Sequence, residues 1–524
     1  LIGDGPAARV QAGRAVAGFF TRSGYEAYVA GAVRQETESP GRATWVMGRS
    51  PGVLPAALQD PEDLDRRLHQ RYFREYAAAW TQWLQSLRLR PARSAREAAR
   101  TLHELGDPYA SPLTAILRAV ARETRLSRPP EANLQPMKAA ASETVARAVR
   151  RSAGRRPTSA ESVVPAAEQP SGPVAASFSW LYDLAGAAED GGGVPEGALA
   201  DALAALRRAA AEIDAHLGVP AGRAAYAAQV LAPGAETEIE EALATVRSAL
   251  HGMDAPLRRH LFEQPIQHAW EHVLAGAHRH LSQQWNDRVC TPFRADLAGR
   301  YPFRPSSADE AALADVRRFF HPQDGVVAAF RRETLAPFVD RDSGRPRRWE
   351  GRGMSPPEPM QAALTEARML QRRLFPDGAL HAAFSLQPDH PRRTDDAPAV
   401  ARSYARIHGQ EIDYDMGGYR PWTQVTWPGT PGAVLRVTTQ TGELEPIRAE
   451  GDWAWLRLLE RATVHRHGPA THVVAWPMTK GVTLRYLLRV SDDLRFLDDP
   501  TRLFAFSCPR LPSGGPAAPP HAGL

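Results

Sequence analysis

The stretch RYPFRPSSADEAALADVRRFFHPQDGVVAAFRRETLAPFVD, from Arg300 to Asp340, decides how the rest of the chain is read. It is densely punctuated and stands between a first part with apolar residues at helical spacing and a last part with much strand spacing. Ser307 followed by Glu310 has the spacing of a capping box, in which hydroxyl and carboxylate each satisfy a backbone N–H at a helix start. Leu313, Val316 and Phe320 then share one helical face. His321-Pro322 and Gly325 end that helix, because proline lacks an amide donor and disfavours a helical residue before it. A second helix burying Val326, Phe330 and Leu335 is expected to follow. Nothing in the stretch is laid out for catalysis.

Upstream, Val10–Phe20 reads as an amphipathic opening. Asp60-Pro61-Glu62-Asp63 then starts a helix with a capping carboxylate, a proline in the first turn and acidic residues at the positive end of the helix dipole. Its stripe runs through Leu64, Leu68, Tyr72, Tyr76, Trp80, Leu84 and Leu87 until Arg90-Pro91. Ser94 with Glu97, and Ser111 before Pro112, open two more helices, so this region is predicted to be a bundle. Arg150–Val174 is rich in Arg, Ser, Pro and Gly without apolar period and reads as a linker. Helices near 176–188, 196–217, 236–251 and 265–297 follow, the last with Ile266, Trp270, Val273, Leu274, Ala277, Leu281 and Trp285 inward.

Beyond a helix at 360–374 the period changes. HAAFSL, AVLRVTT, THVVAW and VTLRYLLRV carry β-branched or alternating residues between Gly- and Pro-rich turns, interrupted by one helix at Trp453–Ala462. The expected fold is multidomain α plus β, with helical bundles over about two thirds of the chain followed by a C-terminal β-sandwich. Expected boundaries are a first helical domain at 1–149, a linker at 150–175, a second helical domain at 176–350, a connector helix at 351–374, the sandwich at 375–512 and a flexible tail at 513–524.

With 524 residues there is chain for three or more domains, and 23% charged against 43% hydrophobic residues is a globular composition. The pI of about 9.3 raises nucleic-acid binding as a reading. Yet 64 basic residues against 59 acidic ones leave only +5, lysine occurs only at Lys138 and Lys480, and the arginines are interspersed with acids rather than gathered with aromatics. No uncharged apolar run approaches the ~20 residues that cross a bilayer as a helix. The chain opens at Leu1 without a signal-peptide pattern and is read as a piece of a longer protein. Cys290 and Cys508 fall in segments assigned to different domains, so neither a disulfide framework nor a zinc ribbon is expected.

His268-Ala-Trp-Glu-His272 matches H-x-x-E-H, which in some metalloproteases sets two imidazoles on zinc with a glutamate as general base. The alternative is a solvated helix face, since each histidine lies two residues, about 200° around the helix, past Ile266 and Trp270. No spacing nominates Glu333 or Glu350 as a third ligand, while His278 and His280 offer surface imidazoles. A zinc hydrolase on His268, Glu271 and His272 is therefore the alternative function, and the favoured reading has no metal, cofactor or catalytic residue. Gly48-Arg-Ser50-Pro-Gly52 matches a nucleophile elbow, but Pro51 has no N–H for an oxyanion. Asp340-Arg-Asp342-Ser-Gly344 resembles a calcium loop, with its glycine one place early and Gly351 where glutamate should stand. Asp492, Asp493, Asp498 and Asp499 read as solvated loop carboxylates, and no phosphate-binding loop is present. Among the tryptophans of the β region, Trp422 and Trp427, together with Tyr419, lie beside turns and are the candidates for a partner surface.

Several motifs in one order carry a resemblance. GRYPF at Gly299–Phe303, the pair Phe319-Phe320, Gly325, Phe330 and Leu335–Asp340 closely resemble the periplasmic part of the IcmF/TssM family of type VI secretion proteins. FFTRSGYE from Phe19, TWVMG from Thr44 and Ser111-Pro-Leu113 look like its first periplasmic helical region. Trp427-Pro-Gly429 and GDWAWLRL from Gly451 are similar to its C-terminal domain, called C2-like for its β-sandwich. The resemblance implies a structural scaffold anchored in the inner membrane and spanning the periplasm to an outer-membrane lipoprotein, TssJ. It also implies partnership with the inner-membrane protein TssL and a homo-oligomer in the assembled complex. The membrane helices and cytoplasmic NTPase-like region of the family have no counterpart in this sequence, and Arg150–Val174 carries no family motif.

Overall fold

A computed structural model describes residues 9–38, 60–126, 172–185, 194–341, 343–490 and 504–512. It divides into two compact units, residues 1–218 with 236–272 and residues 219–235 with 273–524. The expected linker at 150–175 lies, up to residue 171, outside the described residues. Helix Ala198–Ala215, expected in a second helical domain, packs within the first unit against Ala95–Leu105 and Glu238–Ala249.

In the first unit Asp60 caps Pro61–Gln85 by accepting from Glu62 N at 3.1 Å, and Ser94 and Ser111 cap Ala95–Leu105 and Pro112–Thr124. Tyr76 and Trp80 are fully buried, and their polar ends donate to Glu123 O at 2.7 Å and Phe20 O at 2.8 Å. Burying these rings leaves no unmatched O–H or N–H. One expectation fails here: helix Pro61–Gln85 stops before Leu87. Leu87–Leu89 and Val10–Ala12 instead pair as a short antiparallel ribbon that buries Leu87 and Val10 together.

The second unit runs from helices to strands. Leu313–Phe320 and Val326–Phe330 bury Val316, Phe319, Phe320, Val327 and Phe330, and Glu358–Leu374 lays down Met360, Leu364, Ala367 and Leu370. Gly325 is obligatory between the first two, because a Cβ there would meet His321 O at 2.5 Å. The sandwich follows. One antiparallel sheet has the order Gly442–Glu443, Ala433–Thr439, Val400–Ile407, Gln410–Asp415, with Ile447–Ala449 also paired to Ala433–Thr439. The other runs Thr463–Arg466, Thr471–Pro477, Val482–Val490, Ala382–Pro388, Thr423–Trp427. Alternate residues of the long strands are buried, as one inward face per sheet requires, and the shielded hydroxyl of Tyr486 is pushed up to about 12 beside Ser403 of the other sheet.

The chain then returns to the helices. Residues 504–512 lie against the helical part of the unit rather than forming a further strand. Phe506 meets Phe293 edge-on at 4.8 Å and Phe320 at 5.2 Å, Trp285 Nε1 donates to Pro509 O at 3.1 Å, and Asn286 exchanges two hydrogen bonds with Leu511. This return brings Cys508 to Cys290, and the two form a disulfide across 218 residues. No disulfide framework is expected from two cysteines in segments read as different domains; the structure joins them. Cys290→Ser or Cys508→Ser is expected to lower stability by about 2–5 kcal/mol, because the cross-link removes unfolded-state freedom. A thermal melt of each variant, beside the parent with and without reductant, measures it; no difference among them would show the bond to be absent.

Candidate functional site

The three most distinctive motifs of the second unit converge on one joint between its helices and its sandwich. Ser307 does not cap a helix; its hydroxyl donates to Asp309 O, and Leu313–Phe320 starts after Ala312 without a side-chain cap. Residues 301–311 instead fold back on themselves, Tyr301 N donating to Asp309 O and Ala311 N to Tyr301 O, each at 2.8 Å. That fold aims Glu310 at the sandwich. Its carboxylate accepts from Asp452 N at 2.9 Å and from Arg457 Nε at 3.1 Å. The Arg457 guanidinium lies 3.8 Å from the centroid of the buried Tyr301 ring. The carboxylate occupies the space a Cβ would need at Gly451, whose φ is +86°, so only glycine fits there.

Tryptophans seal the rest. Trp453 Nε1 donates to Ala311 O at 2.8 Å and Trp427 Nε1 to Asp452 O at 2.6 Å, and the two rings lie 4.8 Å apart. Phe504 of the returning segment packs on Trp453 and on Phe303. Burial raises Tyr301 and Glu460 above their ordinary pKa values, with Glu460 adding to the rise at Tyr301. At the rim, His408 occupies the first position of a tight hairpin turn with φ +51° and is followed by Gly409 at +85°. Its ring is 1% exposed and neither nitrogen has a partner among the described residues, so burial lowers its pKa, opposed by Thr430 and Asp452.

Trp427, expected at a partner surface, is corrected to a core residue: the turn at 427–429 folds its ring beneath Trp453 with no exposure. Trp422 lies under the Arg489 guanidinium at 4.0 Å, and Tyr419 is 88% exposed. In the first unit, His268, Glu271 and His272 are half-buried rather than on a solvated face, and His272 Nε2 donates to Ala92 O at 3.0 Å. No group of three His, Cys, Asp or Glu among the described residues could hold a metal ion, and Glu333 is engaged by Arg288 at 2.6 Å. Asp340 accepts from Ser343 N and Oγ, which makes the calcium-like loop a turn. Ser50, Asp342 and the aspartates at 492–499 lie outside the described residues. Sequence reading missed the return at 504–512; the alternation of Phe504 and Phe506 ahead of Cys508-Pro509 was its available sign.

Three family models match in order: "IcmF-related: Intracellular multiplication and human macrophage-killing" at 5–125, "Type VI secretion protein IcmF helical domain" at 276–378 and "Type VI secretion protein IcmF C2-like domain" at 384–492. The chain belongs to the IcmF family. A curated relative, "Type VI secretion system component TssM1" of Pseudomonas aeruginosa, is 28% identical over 472 residues. That match covers 86% of this chain and 40% of the relative, so the chain spans well under half of its length. Among solved structures, a "Type VI secretion system membrane core complex" chain matches 97% of this chain and 93% of its own at 20% identity and a TM-score of 0.70. A "Type VI membrane complex" chain matches 94% and 86% at 19% identity with a TM-score of 0.63. At these identities the likeness is one of fold.

The joint of this IcmF-family chain is built for holding, since each polar group of Glu310, Asp452, Arg457, Trp427 and Trp453 described above meets a partner inside the protein. Glu310→Gln is expected to cost about 2 kcal/mol, as two hydrogen bonds to a charged acceptor weaken, and urea unfolding of the variant measures it. His408 gives a pH effect. A folded pKa below the ordinary 6.5 means stability is fully present above that pH and declines as pH falls below it. His408→Asn tolerates the left-handed backbone and cannot charge, so its stability should fall less between pH 7 and the onset of acid unfolding; parallel curves would remove His408 from the account.

Proposed function

We propose that this chain is a structural part of a type VI secretion membrane complex, without enzymatic activity of its own. It stands in the periplasm and links an inner-membrane anchor to an outer-membrane lipoprotein, TssJ, alongside TssL and further copies of itself. The observation that carries the reading is the joint: Glu310, Trp427, Asp452 and Trp453 hold a helical layer, a sandwich and a returning segment together through bonds within the protein. The Cys290–Cys508 bond supports an oxidising compartment, where such cross-links persist. Among the described residues no helix is long and apolar enough to cross a membrane, which suits a segment between two anchoring points.

Docking of the lipoprotein is assigned to the sandwich loops around Tyr419 and Trp422, the exposed and half-buried aromatics beside the Thr423–Trp427 strand. Immobilised chain is expected to capture the cognate lipoprotein. Tyr419→Ala with Trp422→Ala should weaken capture at least about tenfold, as for aromatic anchors at interface centres. Undiminished capture by a folded double variant moves the interface elsewhere, and no capture by the parent chain refutes the lipoprotein link.

A further inference from the structure

The helical part of the second unit carries a cleft of about 680 Å³ between the turn Arg331–Leu335, helix Glu358–Leu374 and the loop at 339–346. Ala328, Leu335, Leu364 and Pro346 give it apolar walls, and Arg331, Arg332, Arg341 and Arg368 reach its lining. The four are not equivalent. Arg332 is occupied, donating to Gln323 O at 2.9 Å and to Glu333 at 3.4 Å, and Arg341 is exposed. Arg331 and Arg368 both line the cleft as like charges, and among the described residues neither forms an ion pair with a carboxylate. Asp340, the acidic residue of the lining, turns its carboxylate to Ser343.

We infer that this cleft is a docking site for an acidic, partly apolar peptide segment of a partner protein, whose carboxylates are read by Arg331 and Arg368. A guanidinium does not escape an unfavourable site by losing its proton, so the half-buried Arg331, at an apolar wall and near the exposed like charge of Arg368, is served by an anion from outside. Half-burial and the neighbouring Arg368 both disfavour the charge of Arg331, and no described carboxylate offsets them. The cleft has the size of a ligand site and far exceeds a single inorganic anion. Apolar walls beside the arginine pair match alternating carboxylate and aliphatic side chains, where a bare polyanion would leave the walls uncovered. This surface is separate from the sandwich loops assigned to the lipoprotein, so the two assignments stand or fall independently.

Fluorescence anisotropy of the whole chain with a short fluorescein-labelled peptide of alternating aspartate and leucine tests the inference. The peptide is expected to bind, to weaken with rising salt, and to lose at least about tenfold in affinity with Arg331→Ala or with the exposed Arg368→Gln. Arg372→Ala, on the same helix outside the cleft lining, should bind as the parent does, and thermal melts show that each variant is folded. Equal binding of the asparagine–leucine peptide, or undiminished binding by folded Arg331→Ala and Arg368→Gln, overturns the inference. So does full displacement by inorganic phosphate at matched concentration, which would leave a simple anion site.

Discussion

The second unit depends on where one carboxylate points. Glu310, ahead of helix Leu313–Phe320, is the acceptor for the backbone N–H of Asp452 and for Arg457 of the sandwich helix Ala454–Glu460. The half-buried carboxylate is met by Arg457, which keeps its own guanidinium against the Tyr301 ring. Each neighbour then has little freedom. Gly451 must lack a side chain, Trp453 must reach Ala311, and Trp427 must pack against it to reach Asp452.

Around this polar centre the packing is aromatic. Phe303, Phe320, Phe504, Phe506 and Trp453 meet mostly edge to face, the arrangement that the ring quadrupole favours, and they come from the helices, the sandwich and the returning segment alike. No one of these elements has an apolar face complete without the others. The helical layer and the sandwich are therefore one cooperative core in physical terms, although the sequence changes period between them.

Local pattern carried much of this architecture. The capped helices at Pro61, Ala95 and Pro112, the buried face of Gln264–Trp285 and the alternating strands follow from spacing and turn chemistry, which act over a few residues. What local pattern could not convey was long-range pairing. Ser307 and Glu310 have the spacing of a cap, and only the nearness of Asp452 and Arg457 redirects the carboxylate. Trp427 beside a proline and a glycine reads as a turn aromatic until Trp453 covers it. The disulfide joins positions so far apart that no spacing rule connects them. At the joint, the identity of the key residues was legible and their partners were not.

The disulfide also changes how the second unit carries force. Cys290 follows the long helix and Cys508 lies in the returning segment, so the whole sandwich falls inside a covalently closed ring. Tension applied between residue 290 and the chain beyond 508 passes through the sulfur–sulfur bond and bypasses every strand. The sandwich then hangs beside the load path, able to keep its surface shape while the chain that bears it is pulled.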